Sequence, residues 1–181
     1  VKIRKVISGG QTGADQAGLR AARSLGLATG GTAPSNYYTS NGPMPSLILY
    51  GLTAKGSYNE RTRQNIIDSD ATLIIAEKIN SPGTNLTISI LKELNKPYFV
   101  ADVSELMSRR HEATPEHLII RLCEDICEWL SGCTGDTLNV AGNREHYIGD
   151  AFGELAQVIC ATVFMVAGEN NQEAIWQAER R

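Results

Sequence analysis

Short continuous apolar runs alternate along the chain with stretches of helical period. Residues 3–7, 27–31, 71–76, 98–101 and 137–142 read as strands. The unbroken run 71–76 has the character of a strand buried on both faces, as in a parallel sheet. Ala14, Ala17, Gly18, Ala21, Ala22 and Leu25 recur at helical spacing, and so do Leu86, Ile90 and Leu94, with Leu91 beside them. Leu118, Leu122, Ile126 and Trp129/Leu130 form a further stripe, opened by Thr114-Pro115-Glu116 as N-cap and first-turn proline. Ser57 with Glu60 makes a capping box, starting a helix on which Arg61 and Asn65 share a face while Ile66 and Ile67 turn to the core. A last helix runs from about residue 149 to 167. Strands alternating with helices predict an α/β fold, a doubly wound, mainly parallel sheet with helices on both faces. Residues 1–168 form one domain, and 169–181 a polar C-terminal tail.

Two stretches resist this pattern. Residues 32–55 are rich in Pro, Gly, Ser, Asn and Tyr and read as a binding loop or lid. Tyr37, Tyr38 and Tyr50 there serve either to stack on a heterocycle or to pin the loop to the body. Residues 103–113 are polar and receive no element.

Ser8-Gly9-Gly10-Gln11-Thr12-Gly13 joins the first strand directly to a helix. Such a turn aims backbone N–H groups and a positive helix end at one spot, which suits a phosphate. The spacing matches neither a P-loop nor G-x-G-x-x-G. The alternative is a tight turn that needs glycine for its geometry alone. Thr12 with Asp15 resembles a capping box, with Asp replacing the usual Glu. A second Gly/Thr-rich turn, Ser81-Pro82-Gly83-Thr84-Asn85, follows the run 71–76. Residues 8–13, 30–32, 81–85 and 142–145 all fall at strand carboxyl ends, where ligands bind in open α/β sheets. Arg61 and Asn65 either hold a phosphate or a base edge, or form a solvated face. Asp70 reads as a group at the start of a strand.

Composition narrows the classes. The chain has 181 residues, a formal charge of −3 and no Lys/Arg block, so it carries no footprint for duplex nucleic acid. No charged-then-apolar leader opens it, and the apolar stretch 155–167, interrupted by Gln157, is too short for a bilayer. A cytoplasmic protein without membrane contact is expected, which makes the Asn85-Leu86-Thr87 sequon incidental. Cys123, Cys127, Cys133 and Cys160 contain no C-x-x-C knuckle. They read as reduced, partly buried thiols rather than as zinc ligands recruiting His117, and no protein-ligated metal is expected.

Several motifs then occur together: Ser8-Gly9-Gly10-Gln11-Thr12-Gly13-Ala14-Asp15, Thr29-Gly30-Gly31, Glu60-Arg61-Thr62 with Asn65, Ser69-Asp70-Ala71-Thr72-Leu73, and Leu138-Asn139-Val140-Ala141-Gly142. In this order, across residues 1 to about 148, they resemble the molybdenum-cofactor carrier proteins, a circularly permuted YpsA-like branch of the SLOG superfamily. The resemblance implies a Rossmann-like fold and a homo-oligomer, dimer or tetramer. It also implies a phosphorylated ligand: the molybdenum cofactor, whose pterin dithiolene carries the metal, or a nucleotide-derived molecule.

By motif, Ser8, Gly9, Gly10, Gln11, Thr12 and Gly13, with Gly30 and Gly31, would surround the phosphate, cradled by the backbone N–H groups of residues 9–13. Gly83, Thr84 and Asn85 would bind the same ligand from the neighbouring strand. Arg61 and Arg144 would neutralise its charge, and Asn65 would hydrogen-bond it. Related phosphoribohydrolases carry P-G-G-x-G-T-x-x-E, whereas this chain has Gly13-Ala14-Asp15. Asp15 is the one catalytic candidate, able to hold a ribose hydroxyl or a water. The favoured reading is a non-catalytic binder, a cofactor carrier or a nucleotide-signal sensor or sink. The alternative is an N-glycosidic phosphoribohydrolase-like enzyme.

Overall fold

A computed structural model describes residues 2–109, 116–145 and 151–178. The elements in chain order are β1 (Lys5–Ile7), α1 (Ala14–Ser24), β2 (Ala28–Ala33), a 3-10 turn at Ser35–Tyr37, β3 (Tyr38–Thr39), β4 (Gly42–Pro43), a 3-10 turn at Pro45–Tyr50, β5 (Leu52–Ala54), α2 (Tyr58–Ile67) and β6 (Ala71–Ala76). They continue through α3 (Pro82–Glu93), β7 (Tyr98–Asp102), α4 (Ser104–Ser108), α5 (Glu116–Ser131), β8 (Thr137–Gly142) and α6 (Ala151–Ala178).

Six strands form one parallel sheet in the order β5-β2-β1-β8-β6-β7. The last strand in the chain therefore lies between the first and the sixth. Strand alternation assigns the two faces. Leu73 and Ile75 of β6 join the large cluster with α1, α5 and α6, whereas Ile74 and Ala76 pack with Ile66 of α2 and Ile90 and Leu91 of α3. This is the Rossmann-like α/β arrangement, with helices on both faces.

Parts of the molecule depart from the sequence reading. Residues 32–55 are not one loop: they end β2, form the small β3–β4 hairpin and supply β5 as an edge strand. A three-residue strand is too short to show a period. Ile67 stands 48% exposed, and Ile66 alone of that pair enters the core. Within 103–113, α4 buries Leu106 and Met107, while residues 110–113, like the predicted cap at 114–115, lie outside the described residues. The α6 backbone runs on to Ala178, so the tail from 169 begins as helix. Its segment Ala151–Gly168 is long and apolar enough to cross a membrane, by length and composition. That segment packs against α1 and α5, burying Phe152, Ala156, Ile159, Cys160, Val163 and Phe164.

Candidate functional site

From β1 the chain crosses to β2 on one side and from β6 to β7 on the other, with β8 between them, and outside these strand ends lies a cleft of about 420 Å³. Its lining comes from four places: the β1–α1 turn with the start of α1 (Gln11, Asp15), α2 (Tyr58, Arg61, Thr62, Asn65), the β6–α3 turn with the first turns of α3 (Glu77, Lys78, Ser81, Pro82, Gly83, Thr87), and β8 with the residues just after it (Asn139, Ala141, Gly142, Asn143, Arg144).

At its floor the Arg61 Nη1 donates to Asp15 Oδ2 at 3.1 Å, with both side chains almost wholly buried. The capping box that starts α2 is complete: Ser57 N–H donates to Glu60 and Glu60 N–H donates to Ser57. It fixes the first turn, so Arg61 and Asn65, one turn apart, project together toward β1 and β2. The guanidinium lies 4.3 Å from the Tyr58 ring centroid, a cation–π contact on its upper side. Its Nε is buried without a hydrogen-bond partner. Burial pushes the Asp15 carboxyl above the ordinary carboxylate range, while Arg61 and the N–H groups of Gln11 and Gly9 pull it back.

Asp15 is not the second half of a capping box with Thr12. The helix N-cap is Gly13, which has no side-chain cap, and Asp15 Oδ2 instead accepts from Gln11 N–H at 3.2 Å. Three further N–H groups of this turn are engaged, while the buried Thr12 hydroxyl has no hydrogen-bond partner. Gly10 N–H reaches Ser8 Oγ, Thr12 N–H reaches Gln11 Oε1, and Ala14 N–H reaches the Asn143 carbonyl. The glycines provide room. A side chain at Gly9 would run into the Arg61 guanidinium, and one at Gly13 would strike the Asn143 carbonyl.

Asn65 also works within the fold. Its carboxamide accepts from Thr32 N–H at 2.8 Å and donates to Thr32 O at 2.9 Å, filling the role of a missing strand neighbour. Gly31, at φ 125°, leaves space for that carboxamide and for the Ser8 backbone, and Gly30 lies against Lys5. Asp70 accepts from Asp136 and Thr137 N–H, both at 2.9 Å, and so sets the start of β8.

Of the predicted residues, Gln11, Asp15, Arg61, Asn65, Gly83 and Arg144 line the cleft. Ser8, Gly9, Gly10, Thr12, Gly13, Gly30 and Gly31 support it from the neighbouring turn and strand without lining it. Thr84 is buried beside Ser81, and Asn85 is exposed, donating to Asn80 O. Tyr37 pins its loop through a hydrogen bond to Leu52 O, Tyr50 lies under Arg23, and Tyr38 is 61% exposed.

Sequence reasoning missed Tyr58 as the aromatic of the site, and it missed Glu77, Lys78 and Asn143. Asn143 ties three elements together. Its Oδ1 accepts from Lys78 N–H at 2.6 Å, its Nδ2 is within 3.3 Å of Lys78 O, Ser81 Oγ and Thr84 Oγ1, and its carbonyl accepts from Ala14. The available signal was positional: Glu77-Lys78 and Asn143 come immediately after the carboxyl ends of β6 and β8, and although 142–145 was placed at such an end, Asn143 was not singled out within it.

Comparison with known proteins bears on this arrangement. Curated proteins offer no match. The crystal structure of a candidate molybdenum carrier protein from Syntrophus aciditrophicus SB superposes with a TM-score of 0.75 at 30% identity, covering 91% of this chain and 96% of that one. The model of the circularly permutated YpsA SLOG family matches residues 6–163. That match spans the sheet and every segment lining the cleft, and the chain belongs to this family.

Proposed function

We propose that the chain binds a phosphorylated small molecule, nucleotide-like or pterin, in the cleft at the carboxyl edge of the sheet, as a carrier of the molybdenum cofactor or as a sensor or sink for a nucleotide signal. The observation that carries this reading is Arg61. Arg61 lines the open cleft yet is only 5% exposed, its guanidinium is held in place by Asp15 and Tyr58, and its Nε is buried without a hydrogen-bond partner. A buried donor without a partner is costly, and an anionic oxygen would satisfy it. Lys78 and Arg144 add positive charge to the lining, and the N-terminus of α3, with Gly83 in the lining, adds a helix dipole.

A volume of about 420 Å³ falls within the range of small-molecule sites. The residues suit a phosphorylated heterocycle as cargo. The described residues bring together no group of three His, Cys, Asp or Glu able to hold a metal ion. A molybdenum atom carried by such cargo would be held by the cargo's own dithiolene. The name of the Syntrophus protein accords with this reading.

The engagement of Asp15 favours binding over hydrolysis. Its Oδ2 already accepts from Arg61 and Gln11, and the residue is 3% exposed, which suits a group that holds Arg61 rather than one that activates water. The homo-oligomer is a further expectation. The exposed Val158, Met165 and Val166 on α6 favour it, and light scattering tests it.

The decisive experiment is mass spectrometry of small molecules released by denaturing the purified protein, with Arg61→Lys as control. An intact phosphorylated heterocycle, absent from the variant, is the expected result. A free base with a sugar phosphate would replace this reading by hydrolysis. Finding no such ligand, together with no binding across a panel of nucleotides and pterin phosphates, would overturn it.

A further inference from the structure

Resting on the reading of the cleft as a site for a phosphorylated ligand, we infer that Glu77 reads a 2-amino-oxo heterocycle, guanine or pterin, through its paired N–H donors. The two carboxylates of the lining differ. Asp15 is committed to Arg61, Gln11 and Gly9. Glu77 is half-buried and lines the same cleft, and among the described residues its carboxylate has no hydrogen-bond or ion-pair partner. It directly follows Ala76 at the carboxyl end of β6, where the wholly buried strand anchors its backbone.

The lining thus combines Arg61, Lys78 and Arg144 with one open carboxylate. A ligand complementary to it is anionic at one end and rich in N–H donors at another. An ionised carboxylate has two oxygens and no donor, so it pairs best with two parallel N–H groups, as in its fork with arginine. Among phosphorylated heterocycles, guanine and pterin present that pair, a ring N–H beside an exocyclic amine. Hypoxanthine keeps the ring N–H and lacks the amine. Adenine places an acceptor nitrogen beside its amine, which a carboxylate repels.

The test measures binding of GMP, IMP, AMP and neopterin monophosphate by calorimetry to the full chain and to Glu77→Gln. GMP is expected to bind at least about tenfold more tightly than IMP or AMP, because one charge-assisted hydrogen bond is lost with the 2-amino group. Glu77→Gln should remove that preference, weaken neopterin monophosphate to a degree similar to GMP, and weaken IMP less, since only its one ring N–H loses a charged partner. Whichever of GMP and neopterin monophosphate binds more tightly identifies the source of the heterocycle. Equal binding of GMP and IMP, or a preference for GMP and an affinity for neopterin monophosphate that both survive in Glu77→Gln, overturns the role of Glu77 and leaves the phosphate reading standing. Absence of binding by all four, with no phosphorylated heterocycle released on denaturation, overturns both.

Discussion

Two turns lead from a strand into a helix beside the cleft, and they use glycine differently. In the β1–α1 turn, the N–H groups of Gly10, Gln11, Thr12 and Ala14 are consumed by Ser8, Asp15, Gln11 and Asn143. Its glycines make room for the Arg61 guanidinium and for the chain at 143–145. In the β6–α3 turn, Ser81 caps Thr84 N–H, Pro82 has no donor to satisfy, and Gly83 stands in the cleft wall with only the Tyr58 hydroxyl near where a side chain would begin. A run of glycines therefore signals close approach, and what approaches can be the protein itself. The turn with fewer glycines is the one whose helix end faces the open space.

Glycine replacement gives the sharpest test of this contrast. Gly13 has φ 81°, and a Cβ there would lie 2.7 Å from the Glu145 nitrogen besides striking the Asn143 carbonyl. Gly13→Ala should lose more than about 3 kcal/mol in urea denaturation. Gly9→Ala should come next, since it displaces a pinned guanidinium. Gly83→Ala should stay within about 1 kcal/mol of the parent, because the Tyr58 hydroxyl can shift and alanine favours the helix. Equal losses at 13 and 83 would dissolve the distinction between the turns.

The ion pair beneath the first turn comes second. Arg61→Met leaves the buried Asp15 carboxylate without its counter-charge and should cost about 3–5 kcal/mol at neutral pH. The dependence on pH has a definite sign. Burial already raises this carboxyl above its ordinary 3.8, and removing Arg61 removes the main force that lowers it. A carboxyl with a raised pKa in the folded state keeps its proton where the unfolded chain has released it. Stability is then greatest below about 3.8 and falls as pH rises through the folded value. Denaturation of Arg61→Met from pH 4 to 8 should show a deficit that grows with pH. A deficit independent of pH would mean that Asp15 does not feel the loss.

Much of this was legible in the sequence, and the boundary has physical causes. Runs such as 71–76, and stripes such as Leu118, Leu122 and Ile126, record burial directly, so the parallel sheet and its helices followed. The Ser57–Glu60 box was readable because both partners lie within one turn. Asp15 had an equally local reading with Thr12, but its partner is Arg61, 46 positions away, and no short-range pattern encodes that choice. Asn143 is a single polar residue after a strand, and its importance arises only when Lys78, Ser81 and Thr84 are folded against it. β5 was invisible because Leu52–Ala54 borrows its strand character from pairing with β2.

Asn143 joins the two turns, so its loss should affect both. Asn143→Ala removes the contacts to Lys78, Ser81 and Thr84 and should cost about 2–4 kcal/mol, read by thermal or urea unfolding. Combined with Thr84→Val, the losses should fall short of additivity, since the variants share the bond between Asn143 Nδ2 and Thr84 Oγ1. Asn85→Ala, on the exposed side of the same helix start, should change stability by less than about 0.5 kcal/mol. Strict additivity of the first pair would show that Asn143 does not link the turns through Thr84.

Ser81 allows capping and ligand binding to be separated with the smallest change in stability. Ser81→Ala frees Thr84 N–H at the end of α3 that faces the cleft and should cost about 1 kcal/mol. Ser81→Asp should recover most of that loss, because a carboxylate caps the same N–H and suits the positive helix end. For an anionic ligand the ranking reverses. The aspartate places a negative charge where the helix end would meet a phosphate, so binding of a phosphorylated probe such as GMP should fall at least about tenfold below that of Ser81→Ala. Opposite orders in stability and affinity would mark the α3 terminus as the anion-facing end. The same order in both would return that role to the glycine-rich turn and require its internal hydrogen bonds to open on binding.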